Sequence, residues 1–182
     1  MSLKLVPVGR DVPNEVNVII EIPMNSPAVK YEVDKKSGAM FLDRMLKTAM
    51  HYPCNYGYIP HTLCGDGDPV DVMVVMPVPV QSGCVVTCRP VGLLRMEDES
   101  GEDAKILAVP TEDITGLYRD VHHVEDVDIL LRMQISHFFD HYKDLETGKW
   151  VNITGWEDDE CARREILESV ARYDALPEKW NF

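Results

Sequence analysis

Two knots of carboxylates carry the chemical promise of this chain: Asp66-Gly67-Asp68-Pro69-Val70-Asp71 and Glu97-Asp98-Glu99-Ser100-Gly101-Glu102-Asp103. Like charges about 4 Å apart repel by about 4 kcal/mol at an effective dielectric of 20. A fold that gathers such groups needs cations among them. Carboxylate oxygens are hard donors that suit Mg²⁺, Mn²⁺ or Ca²⁺ rather than a soft metal. Metal-assisted chemistry on a phosphate is therefore the first expectation.

In Asp66-x-Asp68-x-x-Asp71 the glycine and proline spacers oppose a helix and force a tight turn that can aim several carboxylates at one point. A calcium loop of the EF-hand kind does not fit. Val70 stands at its fifth position, Asp71 replaces its glycine, and Pro77 stands where the final glutamate belongs. A solvated acidic turn remains the alternative. The second knot also reads as an exposed hairpin tip, although Asp103, directly before Ala104-Lys105-Ile106, stands at a strand entrance that fixes its direction.

A polyanion would need protein cations as well. Lys30 and Glu32 flank Tyr31 and share a face at period two, while Arg44, Lys105 and Lys143 are embedded in apolar or aromatic surroundings. Arginine can fork onto phosphate and lysine acts as a point charge; either could instead serve a surface ion pair. His51-x-x-Cys54 with His61-x-x-Cys64 has zinc-like spacing, and His137 and His141 lie one helical turn apart. Free thiols and structural histidines account for the first pattern, and Phe138 replaces the glutamate of the zinc-protease helix in the second. The chain has no P-loop, dinucleotide fingerprint or Gly-x-Ser-x-Gly elbow.

The elements that must position these groups divide the chain by period. Residues 16–22 are rich in β-branched residues and stop at Pro23; residues 29–34 and 40–43 read as two short strands around a Lys36-Ser37-Gly38 turn. Tyr52-Pro53-Cys54-Asn55-Tyr56-Gly57-Tyr58-Ile59-Pro60 reads as an ordered loop. Residues 70–76, 84–96 and 105–109 read as strands, with a turn at Ser100-Gly101. Val127, Leu131, Ile135, Phe138, Phe139 and Tyr142 then recur at helical spacing. A second stripe, Ile129 and Met133, is open to deeper burial or to a subunit contact. Residues 150–156 read as a last strand. The terminal helix opens with Glu157-Asp158-Asp159-Glu160 and ends at Pro177, before a tail with Trp180 and Phe182. Strands first and helices late predict α+β: a β-barrel or curled sheet with helices packed outside.

The bulk numbers bound the function. At 182 residues, with 45% apolar and 27% charged residues and no composition shift, the expectation is one domain over 1–182. The net charge of −13 opposes nucleic acid and anionic membrane as partners, yet bound divalent cations can reverse the sign locally for a small anion. No apolar run is long enough to span a bilayer, and Met1-Ser2-Leu3-Lys4-Leu5-Val6-Pro7 lacks a signal peptide's apolar segment. Five cysteines are too few and odd for a disulfide framework, so a reducing cytoplasm is expected.

The string Asp66-Gly67-Asp68-Pro69-Val70-Asp71-Val72 resembles the signature of family I soluble inorganic pyrophosphatases. Further matches follow in consistent order: Glu21, Lys30-Tyr31-Glu32, Arg44, Tyr52 to Tyr58, Arg89-Pro90-Val91-Gly92, Gly101-Glu102-Asp103-Ala104-Lys105 and His141-Tyr142-Lys143-Asp144. The compact length is similar to the bacterial type, a homohexamer. The resemblance implies an OB-like five-stranded β-barrel with outer α-helices, and Mg²⁺-dependent hydrolysis of pyrophosphate to two phosphates, with Mn²⁺ as a substitute. It implies that Asp66, Asp71 and Asp103 ligate activating metal and that Asp98 holds a metal arriving with substrate. Asp68 would be the general base. Lys30, Arg44, Tyr56, Lys105, Tyr142 and Lys143 would grip phosphoryl oxygens, with Glu21 and Glu32 acting through water. The chemistry fits this inventory: metal offsets the anion's charge and acidifies water, cations hold the phosphoryl group in line, and no covalent nucleophile is needed. Two other readings stay open, an Mg²⁺-dependent hydrolase of nucleotides or other phosphoesters and a non-catalytic metal-binding module.

Overall fold

The computed structural model describes residues 3–34 and 36–179; Trp180 and Phe182 lie outside them. Its strands are β1 (Val16–Ile22), β2 (Val29–Val33), β3 (Met40–Met45), β4 (Asn55–Tyr58), β5 (Asp71–Val74), β6 (Val85–Asp98), β7 (Gly101–Pro110) and β8 (Val151–Glu157). The helices are α1 (Ile129–His141) and α2 (Asp159–Asp174).

Five strands close on themselves. Antiparallel pairs join β1 to β4, β4 to β5, β6 to β7 and β6 back to β1, while β5 and β7 run parallel. The circuit β1-β4-β5-β7-β6 is an OB-like barrel, and β8 extends it from β6. β2 and β3 form a separate hairpin. The architecture is the α+β class that the order of elements predicts.

The wall is apolar on both faces, so its strands read as near-continuous hydrophobic runs. Val70, Val72 and Val74 join a cluster with Val18, Ile20 and Ile106 that Ala162 and Ile166 of α2 cover. Met73 and Val75, with Leu94 and Leu107, face a second cluster containing Ile135, Phe138 and Phe139 of α1. Each helix thus seals one side of the wall.

Two segments differ from the sequence expectation. The tyrosine-rich stretch read as a loop contains β4, a wholly buried wall strand. Gly57 explains its place: a Cβ there would sit 1.9 Å from the Ile19 carbonyl oxygen, so only glycine lets β4 lie against β1. The acidic run is a hairpin tip, as the Ser100-Gly101 turn predicts, but the strands reach further into it than expected, because β6 continues through Asp98 and β7 begins at Gly101. Asp103 therefore stands inside a strand, two residues from Lys105 on the same face.

Candidate active site

The parallel register of β5 and β7 sets Asp71 directly beside Lys105. The Lys105 ammonium, 3% exposed, lies 2.8 Å from Asp71 Oδ2 and 3.0 Å from Asp103 Oδ2, and donates to the Tyr56 hydroxyl at 3.0 Å. The two acidic segments, far apart in sequence, therefore meet across one lysine. Burial alone would lower the Lys105 pKa, but Asp103 and Asp71 outweigh it and hold the ammonium well above its ordinary value. Burial raises Asp103, with Lys105 pulling it back and the Asp71 charge adding to the rise. Partial desolvation likewise raises Asp66 at the mouth, and the charges of Asp68, Asp103 and Asp71 add to it.

A cavity of about 210 Å³ opens over this group, below the roughly 300 Å³ at which pockets for drug-sized ligands begin. Asp66, Asp68, Asp71, Asp98, Asp103, Lys30, Arg44, Tyr56, Lys105, Tyr142 and Lys143 all line it. An adjoining pocket adds Glu21 and Glu32 and shares Lys30, Tyr56, Asp68 and Asp71. Every sequence-predicted site residue is thus found in one of two contiguous hollows. Their elements differ: Glu21 lies near the end of β1, Lys30, Glu32 and Arg44 come from the β2–β3 hairpin, and Tyr142 and Lys143 follow α1.

Lys143 donates to Asp98 Oδ2 at 2.7 Å, and its ammonium lies 3.5 Å from Glu99 Oε1. Burial pushes the Asp98 carboxyl up, but the bonds from Lys143 and the Ser100 N–H bring it below its usual value. Lys30 lies 3.7 Å from Asp43 and 4.0 Å from Glu32. Arg44 pairs with Asp43 at 3.1 Å and stands 3.8 Å from Glu146. Glu21, buried in β1, accepts from the Val33 N–H at 2.8 Å, and burial pushes its carboxyl up to about 8.

Several residues beyond the sequence-predicted set belong to this surface. Tyr52, Glu99, Phe139 and Lys149 line the larger cavity. Tyr52 and Glu99 were signalled by the tyrosine-rich and acidic segments that contain them. Lys149 had no local signal, since it enters by a loop beyond α1. Asp43, the sequence neighbour of Arg44, and Glu146, brought to it by the tertiary fold, approach its guanidinium.

The histidine and cysteine patterns are engaged elsewhere. His51 Nδ1 is 3.1 Å from the Asn25 carbonyl, His61 is 3.1 Å from the Tyr173 hydroxyl, and His137 packs on His141 with ring centroids 4.6 Å apart. Among the described residues, no three acidic, histidine or cysteine side chains stand close enough to hold one ion as arranged. Lys105 stands between Asp71 and Asp103 and bonds to both. The donor chemistry nonetheless fits a hard divalent cation: two carboxylates flank a single ammonium, Asp66 lines the same cavity, and burial raises Asp66 and Asp103.

Barrel and rim together define an OB-like enzyme whose acid-lined hollow also carries cations for a small anion. The family model described as inorganic pyrophosphatase matches residues 18–174. An inorganic pyrophosphatase of Yersinia pestis is 58% identical over 172 residues, covering 94% of this chain and 98% of its own length. That of Escherichia coli strain K12 is 57% identical over the same length and coverage. The crystal structure of the Thermus thermophilus inorganic pyrophosphatase superposes with a TM-score of 0.89 at 44% identity, covering 96% of this chain and all of that one. The chain belongs to the inorganic pyrophosphatase family, as a bacterial member of family I, and is a hydrolase.

Proposed function

We propose that this enzyme hydrolyses inorganic pyrophosphate to two phosphates with Mg²⁺, Mn²⁺ being a possible substitute, and that Asp68 is the general base. The observation that carries the reading is the meeting of both acidic segments with Lys30, Arg44, Lys105 and Lys143 around one small hollow. Asp66, Asp71 and Asp103 would hold activating metal, and Asp98 a metal that comes with substrate. When bound, such cations offset the anion's charge and make water easier to deprotonate.

The chain's own groups do the rest. Lys30, Arg44, Lys105 and Lys143, with the Tyr56 and Tyr142 hydroxyls, bind and orient the phosphoryl oxygens for in-line attack. Arg44 contributes a planar fork that fixes orientation as well as charge. Asp68, which lines both hollows, would take the proton of the attacking water. Glu21 and Glu32 order water at the inner end. No covalent step on the protein is required.

The same reading treats residues 1–182 as one domain that assembles as a homohexamer and resides in the cytoplasm, without nucleic-acid or membrane partners. Supporting it are the extent of the family match, the exposed apolar stripe of α1, the five free cysteines, and the negative charge. No helix among the described residues is long and apolar enough to cross a membrane.

The test is phosphate release from pyrophosphate and from ATP, each with and without Mg²⁺. Release from pyrophosphate is expected to be Mg²⁺-dependent and about a hundredfold or more faster than from ATP. Comparable rates on both would favour the broader phosphoester hydrolase, and no Mg²⁺ dependence would remove the metal from the reading.

A further inference from the structure

The turn carrying Asp66 and Asp68 is framed partly from outside the barrel. At its base, fully buried Thr62 donates to the Ile59 carbonyl at 2.6 Å and accepts from the Val70 N–H at 3.0 Å. The next residue, Leu63, is bound to α2 through both its backbone polar groups. Its N–H donates to the Ser169 carbonyl at 3.0 Å, and its own carbonyl accepts from Arg172 Nε at 2.8 Å. From there the turn folds on itself: the Cys64 N–H donates to the Asp68 carbonyl at 2.7 Å, and the Gly67 N–H to the Cys64 carbonyl at 3.2 Å. Gly67 has a φ of +91°, and no atom lies within 4 Å of where a Cβ would stand at Gly65 or Gly67. The Asp68 N–H also donates to Asp66 Oδ1 at 3.0 Å, so the turn is a small closed unit whose placement depends in part on what holds Leu63 and Cys64.

Arg172 is built to hold them. Its Nη2 donates to Glu165 Oε1 at 2.7 Å and to Ser169 Oγ at 2.8 Å, leaving Nε aimed at the Leu63 carbonyl. The helix beneath is a fixed reference, because Ala162 and Ile166 pack with Val70 and Val72 of the wall. An arginine on a helix surface usually contributes little through its ion pairs. Here one donor is committed to a loop carbonyl three residues before Asp66, where small displacements matter to chemistry.

We infer that Arg172 is a positioning residue for the reaction: clamped by Glu165 and Ser169, it fixes the turn that presents Asp66 and Asp68. The inference rests on the metal-dependent hydrolysis proposed above. Substrate-gripping groups come from the β2–β3 hairpin, β4, β7 and the residues just after α1, so loosening the turn leaves substrate binding largely intact.

The test compares the parent with Arg172→Ala and Arg172→Lys. It measures Mg²⁺ binding without substrate by calorimetry, then kcat and KM at saturating Mg²⁺. For Arg172→Ala, Mg²⁺ binding should weaken about tenfold and kcat fall about tenfold, with KM within about twofold. Arg172→Lys, able to reach the Leu63 carbonyl but not to form the fork, should recover part of both losses. A folded Arg172→Ala with parent-like Mg²⁺ binding and kcat, even at a lowered Tm, overturns the inference, as does a rise in KM alone. If Arg172→Ala does not fold, Arg172→Lys and Glu165→Gln decide: weakened Mg²⁺ binding in either supports the clamp, and parent values in both refute it. A parent without Mg²⁺-dependent hydrolysis would instead undo the functional reading, while the calorimetry still reports on the clamp.

Discussion

Lys105 and Glu21 show how single residues set the state of the rim. Lys105 keeps a buried positive charge because Asp71 and Asp103 flank it, so it tolerates an environment that would otherwise expel its proton. For Glu21 burial is the largest influence, stronger than the pull of Lys30, and its carboxyl rises from 4.5 to about 8. Between those values the native protein holds a proton that the unfolded chain has lost. Stability from this group is therefore fully present below about 4.5 and declines as pH rises toward 8. In metal-free protein, Tm of the parent should fall relative to Glu21→Gln as pH is raised from about 5 to about 8.5. Glutamine keeps an acceptor for the Val33 N–H and removes the charge. A constant Tm difference across that range would show that Glu21 does not titrate as described.

At the scale of elements, α1 presents two apolar faces with different fates. Ile135, Phe138 and Phe139 are buried against the wall, while Ile129, Leu130 and Met133 are 60–64% exposed. The chain's own fold therefore does not provide deeper burial for the Ile129–Met133 stripe, and the subunit contact of the proposed hexamer is the reading to test. Fully burying such a side chain contributes about 1.5–3 kcal/mol, enough for two acidic replacements to matter. The double variant Ile129→Glu, Met133→Glu should sediment as smaller species than the parent, with its helical circular dichroism retained. An unchanged sedimentation profile would move the contact elsewhere.

The elements also show what was legible in the sequence. β1, β5 and the inner face of α1 were readable because β-branched runs and helical spacing record local burial. β4 was not: its Gly57 and neighbouring prolines carry loop chemistry, while its reason for being a strand is the close approach of β1, a tertiary fact. The parallel β5–β7 register, which puts Asp71 beside Lys105, likewise leaves no local trace. The residues to which the resemblance assigns roles were named from the sequence, and they line the rim together. Lys149, Glu146 and the hold of Arg172 on Leu63 were not, because each depends on a contact across distant segments, and the pairing of Asp43 with Lys30 needs the β2–β3 hairpin to form.

For the whole molecule, the charge distribution carries the argument. The chain bears −13 overall, yet Lys30, Arg44, Lys105, Lys143 and Lys149 share one cavity with its aspartates. A hollow of mixed sign within an acidic body opposes polyanions such as nucleic acid while retaining local grip on a small one. Divalent cations added to the rim would tip that balance toward the substrate. The most direct measurement is phosphate release from pyrophosphate by the parent and Asp68→Asn at saturating Mg²⁺, with Mg²⁺ binding followed separately. The account predicts a loss of about a hundredfold or more in kcat with Mg²⁺ still bound; an Asp68→Asn enzyme that turns over like the parent would contradict it.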